Sequence, residues 1–152
     1  MNNYIMDEIR MYFEMINEIK PESILDLNMY LARLGAITRQ YQDIYISDEI
    51  YMVGIDISNK RKITACSKIY DKIYEYENIS FTDLGKYELG TIFGVDISGC
   101  LSDKEIADIA KKASKICRYL LIDSYTEKIL KEIEYKNKKK IIYGDSCCYV
   151  CY

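Results

Sequence analysis

The fold is decided by residues 91–123, which read TIFGVDISGCLSDKEIADIAKKASKICRYLLID. Two short apolar runs, at 91–96 and 119–123, are typical of buried strands, and the residues between them have the period of an amphipathic helix. Ser102 and Glu105 form the S-x-x-E pattern of a capping box, which predicts where that helix begins. A strand, a helix and a strand in this order predict one unit of a parallel sheet.

The residues N-terminal to this unit repeat the alternation. Apolar residues spaced three and four apart predict a helix over 3–19, which Pro21 ends. Apolar runs at 23–27 and 51–56 predict two more buried strands, and a helix is predicted between them at about 29–42.

Two further segments have weaker patterns. Residues 62–70, ending at Asp71, are predicted as a strand, although the preceding residues leave too little room for the usual crossover helix. Ser124 and Glu127 predict a second capped helix that continues through Ile133.

The C-terminal residues predict an antiparallel hairpin, because 140–143 and 147–152 flank the turn-forming pair Gly144-Asp145. Together the elements predict an α/β fold. It contains a doubly wound, mostly parallel sheet with helices on both faces, an N-terminal helix and the C-terminal antiparallel hairpin. No linker, low-complexity tract or repeat interrupts the pattern, so we expect one domain over residues 1–152.

Composition excludes several classes of function. The chain has 152 residues, of which 49% are hydrophobic and 30% charged, and this excludes a disordered or collagen-like protein. It contains no histidine, which excludes His bases, His metal ligands and Ser-His pairs. A formal net charge of −3 argues against neutralising phosphates, so no nucleic-acid partner is expected. The basic run at 136–140 is interpreted as a solvated turn.

The cellular compartment of the protein determines whether its cysteines are reduced. No apolar stretch is long enough to cross a bilayer, and the N-terminal residues are acidic where a signal peptide is basic. We therefore expect a cytoplasmic protein without membrane contact, and reduced cysteines. Cys148 and Cys151 have the spacing of half a zinc site or of a redox pair. Strand packing is favoured over both, and no metal is expected, because no second pair completes a metal site.

Acidic residues at the ends of predicted strands form the candidate site. Asp26, Asp56, Asp96 and Asp123 end four apolar runs, and Asp71 is a fifth candidate. Doubly wound folds bind ligands at the carboxyl edge of the sheet, where a carboxylate can hold ribose hydroxyls or a divalent cation. The alternative is that each Asp only caps a helix or begins a turn, which we favour for Asp123.

This arrangement resembles class I S-adenosylmethionine-dependent methyltransferases. The resemblance rests on the segments 19–27, 53–58 and 92–123 and on the terminal hairpin, and it covers nearly the whole chain in element order. It implies S-adenosylmethionine as the cofactor. It also implies a role for each of four acids, namely the methionine moiety for Asp26, the ribose hydroxyls for Asp56, the adenine amino group for Asp71 and the surroundings of the methyl group for Asp96. Three tyrosines are further candidates for ligand contact, namely Tyr70, Tyr74 and Tyr76.

The turn after the first strand departs from that family. The family has a G-x-G-x-G turn there, which lets the backbone approach the cofactor. This chain has Asn28-Met29-Tyr30-Leu31-Ala32, so a side chain stands in each glycine position. Tyr30 is expected to project into or across the cofactor space. Asn28, which tolerates a left-handed turn, is retained as a cofactor-binding candidate.

Two hypotheses of function follow. The first is a non-catalytic binding or interaction protein that has lost ordinary S-adenosylmethionine binding. Its partner is a small molecule or a protein, including a second copy in a homodimer. The alternative is an active methyltransferase acting on a small molecule with an atypical cofactor loop. No catalytic residue is assigned, because methyl transfer depends mainly on alignment. A Mg²⁺-dependent phosphoryl-transfer site is disfavoured, because the chain lacks a phosphate-binding glycine loop.

Overall fold

The structure is a computed structural model that describes residues 3–29, 32–45, 48–57, 68–93, 101–123 and 129–152. Within these ranges there are three α-helices and seven strands. The helices are α1 (Asn3–Ile19), α2 (Arg33–Tyr45) and α3 (Asp103–Ser114). The strands are β1 (Ser23–Asp26), β2 (Tyr51–Asp56), β3 (Lys72–Glu75), β4 (Tyr87–Ile92), β5 (Cys117–Asp123), β6 (Lys138–Tyr143) and β7 (Ser146–Cys151).

All seven strands form one sheet in the order β3-β2-β1-β4-β5-β7-β6. Strands β1 to β5 pair in parallel, whereas β7 is antiparallel to both β5 and β6. The predicted α/β fold, with a mostly parallel sheet and a terminal antiparallel hairpin, is confirmed. The chain adds β2 and β3 on one side of β1 and then places β4 and β5 on the other. The strand order therefore reverses between β1 and β4, where folds of this type bind ligands.

The core has two layers, one on each face of the sheet. Alternate residues of a strand point to opposite faces, so Ile24 and Leu25 of β1 belong to different layers. Helices α1 and α2 cover the first face, which we call the α1/α2 face. Helix α3 covers the second, the α3 face, and it begins with the predicted capping box between Ser102 and Glu105.

Helix α1 also reaches the C-terminal hairpin. It packs on β6 and β7, and the Asp7 carboxylate accepts a hydrogen bond from the backbone N–H of Asp145 at 3.2 Å. Gly144 occupies the turn with φ +56°, and a Cβ there would collide with the Asp7 carboxylate. The contact between Asp7 and the hairpin turn therefore depends on a glycine at position 144.

Four local predictions differ from the structure. The strand predicted at 91–96 begins four residues earlier, because β4 runs from Tyr87 to Ile92, and residues 94–96 lie outside the described ranges. The described part of the predicted strand at 62–70 is a turn, and β3 begins at Lys72. Residues 129–132 form a 3₁₀ turn where an α-helix was predicted, while the start of that segment lies outside the described residues. The basic run is not a turn, because Lys138 to Lys140 lie in the edge strand β6, where lysines discourage pairing with another sheet.

The two cysteines of the C-x-x-C pattern cannot act together. Cys148 packs in the layer on the α1/α2 face and Cys151 in the layer on the α3 face, because residues three apart in a strand point to opposite sides. Burial raises the pKa of Cys148 to about 12 and that of Cys151 to about 11, which disfavours a reactive thiolate. The prediction of strand packing is confirmed.

None of the helices described is long and apolar enough to cross a bilayer.

Candidate ligand site at the carboxyl edge of the sheet

Asp26 lies at the carboxyl end of β1, beside the point where the strand order reverses. Its side chain is buried and accepts three hydrogen bonds. The donors are the Tyr70 hydroxyl at 2.6 Å, the Asn28 backbone N–H at 3.2 Å and the Thr91 hydroxyl at 3.3 Å. Burial raises the pKa of Asp26 above its ordinary value, and the three donors oppose this shift. The carboxyl group is therefore directed towards the protein interior.

Tyr70 fills the space between β2 and α2 on the α1/α2 face, and it is only 3% exposed. Two glycines provide that space. A Cβ on Gly54 would lie 3.0 Å from the Tyr70 ring, and a Cβ on Gly35 would lie 2.7 Å from its ring and hydroxyl. Real Cβ atoms essentially never come as close as 2.7 Å to another atom, which explains a glycine in the first turn of α2, and 3.0 Å at Gly54 is tighter than most real contacts. Tyr70 was a candidate for ligand contact, and the structure places it in the core.

The loop after β1 directs side chains inwards. The Asn28 amide donates a hydrogen bond to the Phe93 carbonyl at 2.7 Å, which ties the residues after β1 to those after β4. Asn28, Met29 and Ala32 are all buried. Among the described residues, Lys20 and Ala32 are the non-glycine residues with positive φ. The expected left-handed turn is therefore at Ala32 and not at Asn28, whose N–H is bonded to Asp26.

Ala32 has φ +52° and donates its N–H to the Met29 carbonyl at 2.6 Å. It occupies the last glycine position of the G-x-G-x-G comparison, so the backbone keeps a glycine-like conformation although the residue is alanine. The next residue, Arg33, begins α2 and contacts both oxygens of the buried Glu8 carboxylate of α1, at 2.6 and 2.8 Å. Tyr30, which was expected to cross the cofactor space, lies outside the described residues.

Asp56 lies at the carboxyl end of β2, at the same edge of the sheet as Asp26, and it is 6% exposed. Its register partner in β3 is Glu75, which ends that strand and is exposed. Asp26 pairs in register with Gly54, two residues before Asp56. Asp123 ends the parallel strand β5 at the same edge and is also buried. The structure therefore brings Asp26, Asp56, Glu75 and Asp123 to one edge. All of these except Glu75 were candidates from the sequence.

Asp71 lies elsewhere. It precedes β3, and its carboxylate accepts hydrogen bonds from the Met52 backbone N–H at 2.7 Å and from the Arg39 guanidinium at 2.9 Å. Both Met52 and Asp71 are at the amino ends of their strands, on the order of 10 Å from the carboxyl edge along a strand. The structure does not bring Asp71 together with Asp26 and Asp56. Asp96 lies outside the described residues.

Sequence reasoning missed two residues of this edge. Glu75 was missed because the third strand was predicted too early in the chain, which gave its terminal acid as Asp71. Thr91 was treated as part of an apolar run, although its hydroxyl is bonded to Asp26 and fully buried. A polar residue inside a buried run was the signal that could have identified it. Tyr74 and Tyr76 are partly buried against the core of the α3 face.

The strand order, with an antiparallel seventh strand between the fifth and sixth, is the fold of S-adenosylmethionine-dependent methyltransferases. The resemblance noted in the sequence is thus confirmed at the level of fold. A candidate O-methyltransferase from Nostoc punctiforme is 10% identical with a TM-score of 0.67, and the match covers 98% of this chain and 56% of that one.

Two further solved structures have the same fold. The methyltransferase PaMTH1 from Podospora anserina, solved with S-adenosylhomocysteine, is 13% identical with a TM-score of 0.64, and 95% of this chain covers 77% of it. The N-terminal domain of EvdMO1, solved in the presence of S-adenosylhomocysteine and D-fucose, is 9% identical with a TM-score of 0.58. That match covers 95% of this chain and 81% of the domain. Neither a protein-family model nor a curated protein sequence matches the chain.

The chemistry available at this edge is that of carboxylates. Asp56 and Glu75 can accept hydrogen bonds from hydroxyl or amino groups. Among the described residues, no three side chains of His, Cys, Asp or Glu are grouped so that they could hold a metal ion.

Proposed function

We propose that the chain is a non-catalytic binding protein built on the methyltransferase fold, and that it does not bind S-adenosylmethionine in the ordinary way. The observation that carries this proposal is the 2.6 Å hydrogen bond from the buried Tyr70 hydroxyl to Asp26. In the resemblance, Asp26 is the acid that helps to hold the methionine moiety. Here its carboxyl group is buried and accepts hydrogen bonds from three groups of the protein itself.

The bonding of Asp26 supports the proposal. A carboxylate has about four lone-pair sites, and donors of the protein already use three of those of Asp26. Its raised pKa reflects an environment that disfavours the negative charge, which would attract the ammonium group of a methionine. A ligand that displaced Tyr70 would leave a buried hydroxyl without its partner, at a cost of about 1–3 kcal/mol.

The loop supports the proposal in a second way. Asn28 uses its side-chain amide on the Phe93 carbonyl, so the ends of β1 and β4 are joined by a direct bond. Ligands of doubly wound folds enter the crevice between these strand ends. This bond lies across that crevice, and a ligand there has to be accommodated around it.

A second candidate function, that of an active S-adenosylmethionine-dependent methyltransferase acting on a small molecule, is favoured by two observations. Ala32 keeps the left-handed backbone of a glycine position. Asp56 ends β2, where the resemblance puts the acid that binds the ribose hydroxyls. In that case Asp56 would hold the ribose, and alignment of substrate with the methyl group would provide most of the catalysis.

Calorimetry with S-adenosylhomocysteine separates the two candidates. We expect no binding by the wild-type chain at millimolar ligand. Saturable binding that is lost in Asp56→Asn and retained in the control Asp83→Asn would contradict the proposal and support an active methyltransferase. A ligand at 100 times its Kd stabilises a protein by about 2.7 kcal/mol. That corresponds to a rise in Tm of about 5–11 °C for a domain of this size, so thermal unfolding gives a second measurement.

The partner of the non-catalytic protein is proposed to be a small molecule or a protein in the cytoplasm, and a second copy of the chain is one such partner. Light scattering at increasing concentration tests the homodimer, because the mass of a dimer is twice the 17.9 kDa of the chain.

A further inference from the structure

A cavity of about 670 Å³ lies at the amino edge of the sheet, opposite the edge that carries Asp26. Its walls are the end of α1, the turn into β1, the end of α2 and the residues just before β2. The size is typical of pockets that hold small organic molecules, which range from about 300 to 1,000 Å³. Nothing in the function proposed above uses this cavity.

Two tyrosines form its aromatic wall. Tyr41 and Tyr45 lie one turn apart on α2 and stack with their ring centroids 5.4 Å apart and their planes at 28°. Phe13 of α1 packs edgewise on both rings, at 5.1 and 5.5 Å. The Tyr41 hydroxyl donates to the Asn17 side chain at 3.0 Å, which fixes its orientation. Tyr45 remains 63% exposed, so its ring is accessible to a ligand.

The charged part of the wall is mostly acidic. Glu22, Asp48 and Glu49 line the cavity, and Lys20 is the one cation among the described residues of its lining. In the described part of the chain, none of these three carboxylates forms an ion pair. The described residues of the lining therefore carry three negative charges and one positive charge, which leaves a net charge of −2. Such a wall favours cations and repels anions.

The arrangement of the acids distinguishes between kinds of cation. A metal ion needs several oxygen ligands that converge on one point. No such group of acidic side chains exists among the described residues, so these three carboxylates do not converge on one point. Separate carboxylates suit a ligand whose positive charges are also separate. The exposed Tyr45 ring beside them can attract an ammonium group and pack against an aliphatic chain.

We propose that this cavity binds an aliphatic polyamine, with its ammonium groups on Glu22, Asp48 and Glu49 and its carbon chain against the exposed ring of Tyr45. This ligand satisfies both the negative charge of the lining and the exposed aromatic ring, and it does not need the acids to converge on one point. The proposal is independent of the function proposed for the carboxyl edge, because the two sites lie at opposite edges of the sheet.

Calorimetry with spermidine on the full chain at low ionic strength tests the proposal. We expect saturable binding, weakened about threefold to tenfold in Tyr45→Ala and several-fold in Glu49→Gln. The matched controls are Tyr152→Ala, which removes an exposed tyrosine outside the cavity, and Glu14→Gln, which removes an exposed acid of α1. Both controls should bind spermidine as the wild type does.

Three outcomes would overturn the proposal. They are the absence of binding at millimolar spermidine, an equal loss in the control variants, and equal binding of Mg²⁺, which would mean attraction to charge alone. Addition of S-adenosylhomocysteine should leave the affinity for spermidine unchanged. Loss of spermidine binding would not affect the proposal for Asp26, since that proposal depends on calorimetry with a different ligand.

Discussion

The two edges of the sheet use their polar groups in opposite ways. At the carboxyl edge, Asp26 is bonded to Tyr70, Asn28 and Thr91 inside the protein. At the amino edge, carboxylates such as Glu22 line an open cavity and form no ion pair within the described ranges. The edge where this fold ordinarily binds ligands is thus internally bonded, and the other edge has groups available to a ligand. The fold alone therefore does not determine which edge of the sheet binds a ligand.

The largest expected effect comes from removing the tyrosine of the carboxyl edge. Tyr70→Ala leaves a cavity between Gly35 and Gly54 and deprives Asp26 of a donor. We expect a loss of about 3–5 kcal/mol in the free energy of unfolding, measured by urea denaturation. The matched variant at the amino edge, Tyr45→Ala, removes a 63% exposed ring and should cost about 1 kcal/mol or less. Equal losses in the two variants would show that the edges do not differ in this way.

A smaller effect is expected when a methyl group is added beside Tyr70. In an exposed helix, Gly→Ala stabilises by up to about 1 kcal/mol. At Gly35 the new Cβ would lie 2.7 Å from the Tyr70 ring, so we expect Gly35→Ala to destabilise the protein, by about 1–3 kcal/mol. Chemical denaturation measures the sign. A stabilised Gly35→Ala variant would mean that Tyr70 is not held tightly against α2.

The loop offers a third comparison. Ala32→Gly removes a buried methyl group, which destabilises the protein. It also removes the strain of a left-handed alanine, and that strain costs about 1–2 kcal/mol. We expect these changes nearly to cancel. The control is Ala110→Gly, at a fully buried position of α3. It lowers helix propensity and removes a buried methyl group, so we expect a loss of about 2 kcal/mol in the free energy of unfolding. If thermal unfolding gives the two variants the same loss, the backbone at Ala32 is not strained.

The smallest effect is a dependence of stability on pH. The pKa of Asp26 is raised in the folded protein, chiefly because burial disfavours its charge. Its contribution to stability is therefore fully present below the ordinary pKa of an aspartate, and it is lost as pH rises through the raised pKa. The stability of wild type relative to Asp26→Asn should fall over that interval in urea titrations. A relative stability that rises with pH would mean that the Asp26 carboxylate is stabilised by its donors.

Much of the fold could be predicted from the sequence, because apolar runs and helical periods report directly which residues are buried. The strands β1, β2 and β5 and the helices α1 and α3 were placed in this way. Strand β3 was missed since it lies at the edge of the sheet and is only half-buried, so its pattern KIYE is weak. The error in β3 then moved the third acid of the candidate site from Glu75 to Asp71.

The candidate site was less predictable. Positions at strand ends follow from the order of elements, and this was enough to place Asp26 and Asp56 at one edge. The bond between Asp26 and Tyr70 joins residues 44 apart, and no local pattern reports it. Gly35 and Gly54 were the available signal, because a glycine inside a helix or strand often marks a close approach by another group.

The antiparallel strand β7 has a consequence for the order of folding. It lies between β5 and β6 and also packs against α1, and the bond from Asp145 to Asp7 joins positions 138 residues apart. Closing so long a loop is costly in entropy and slows the folding of a chain rich in distant contacts. Helix α1 therefore has no complete surface to dock on until β7 has entered the sheet, and we expect their association to be a late step on the folding pathway.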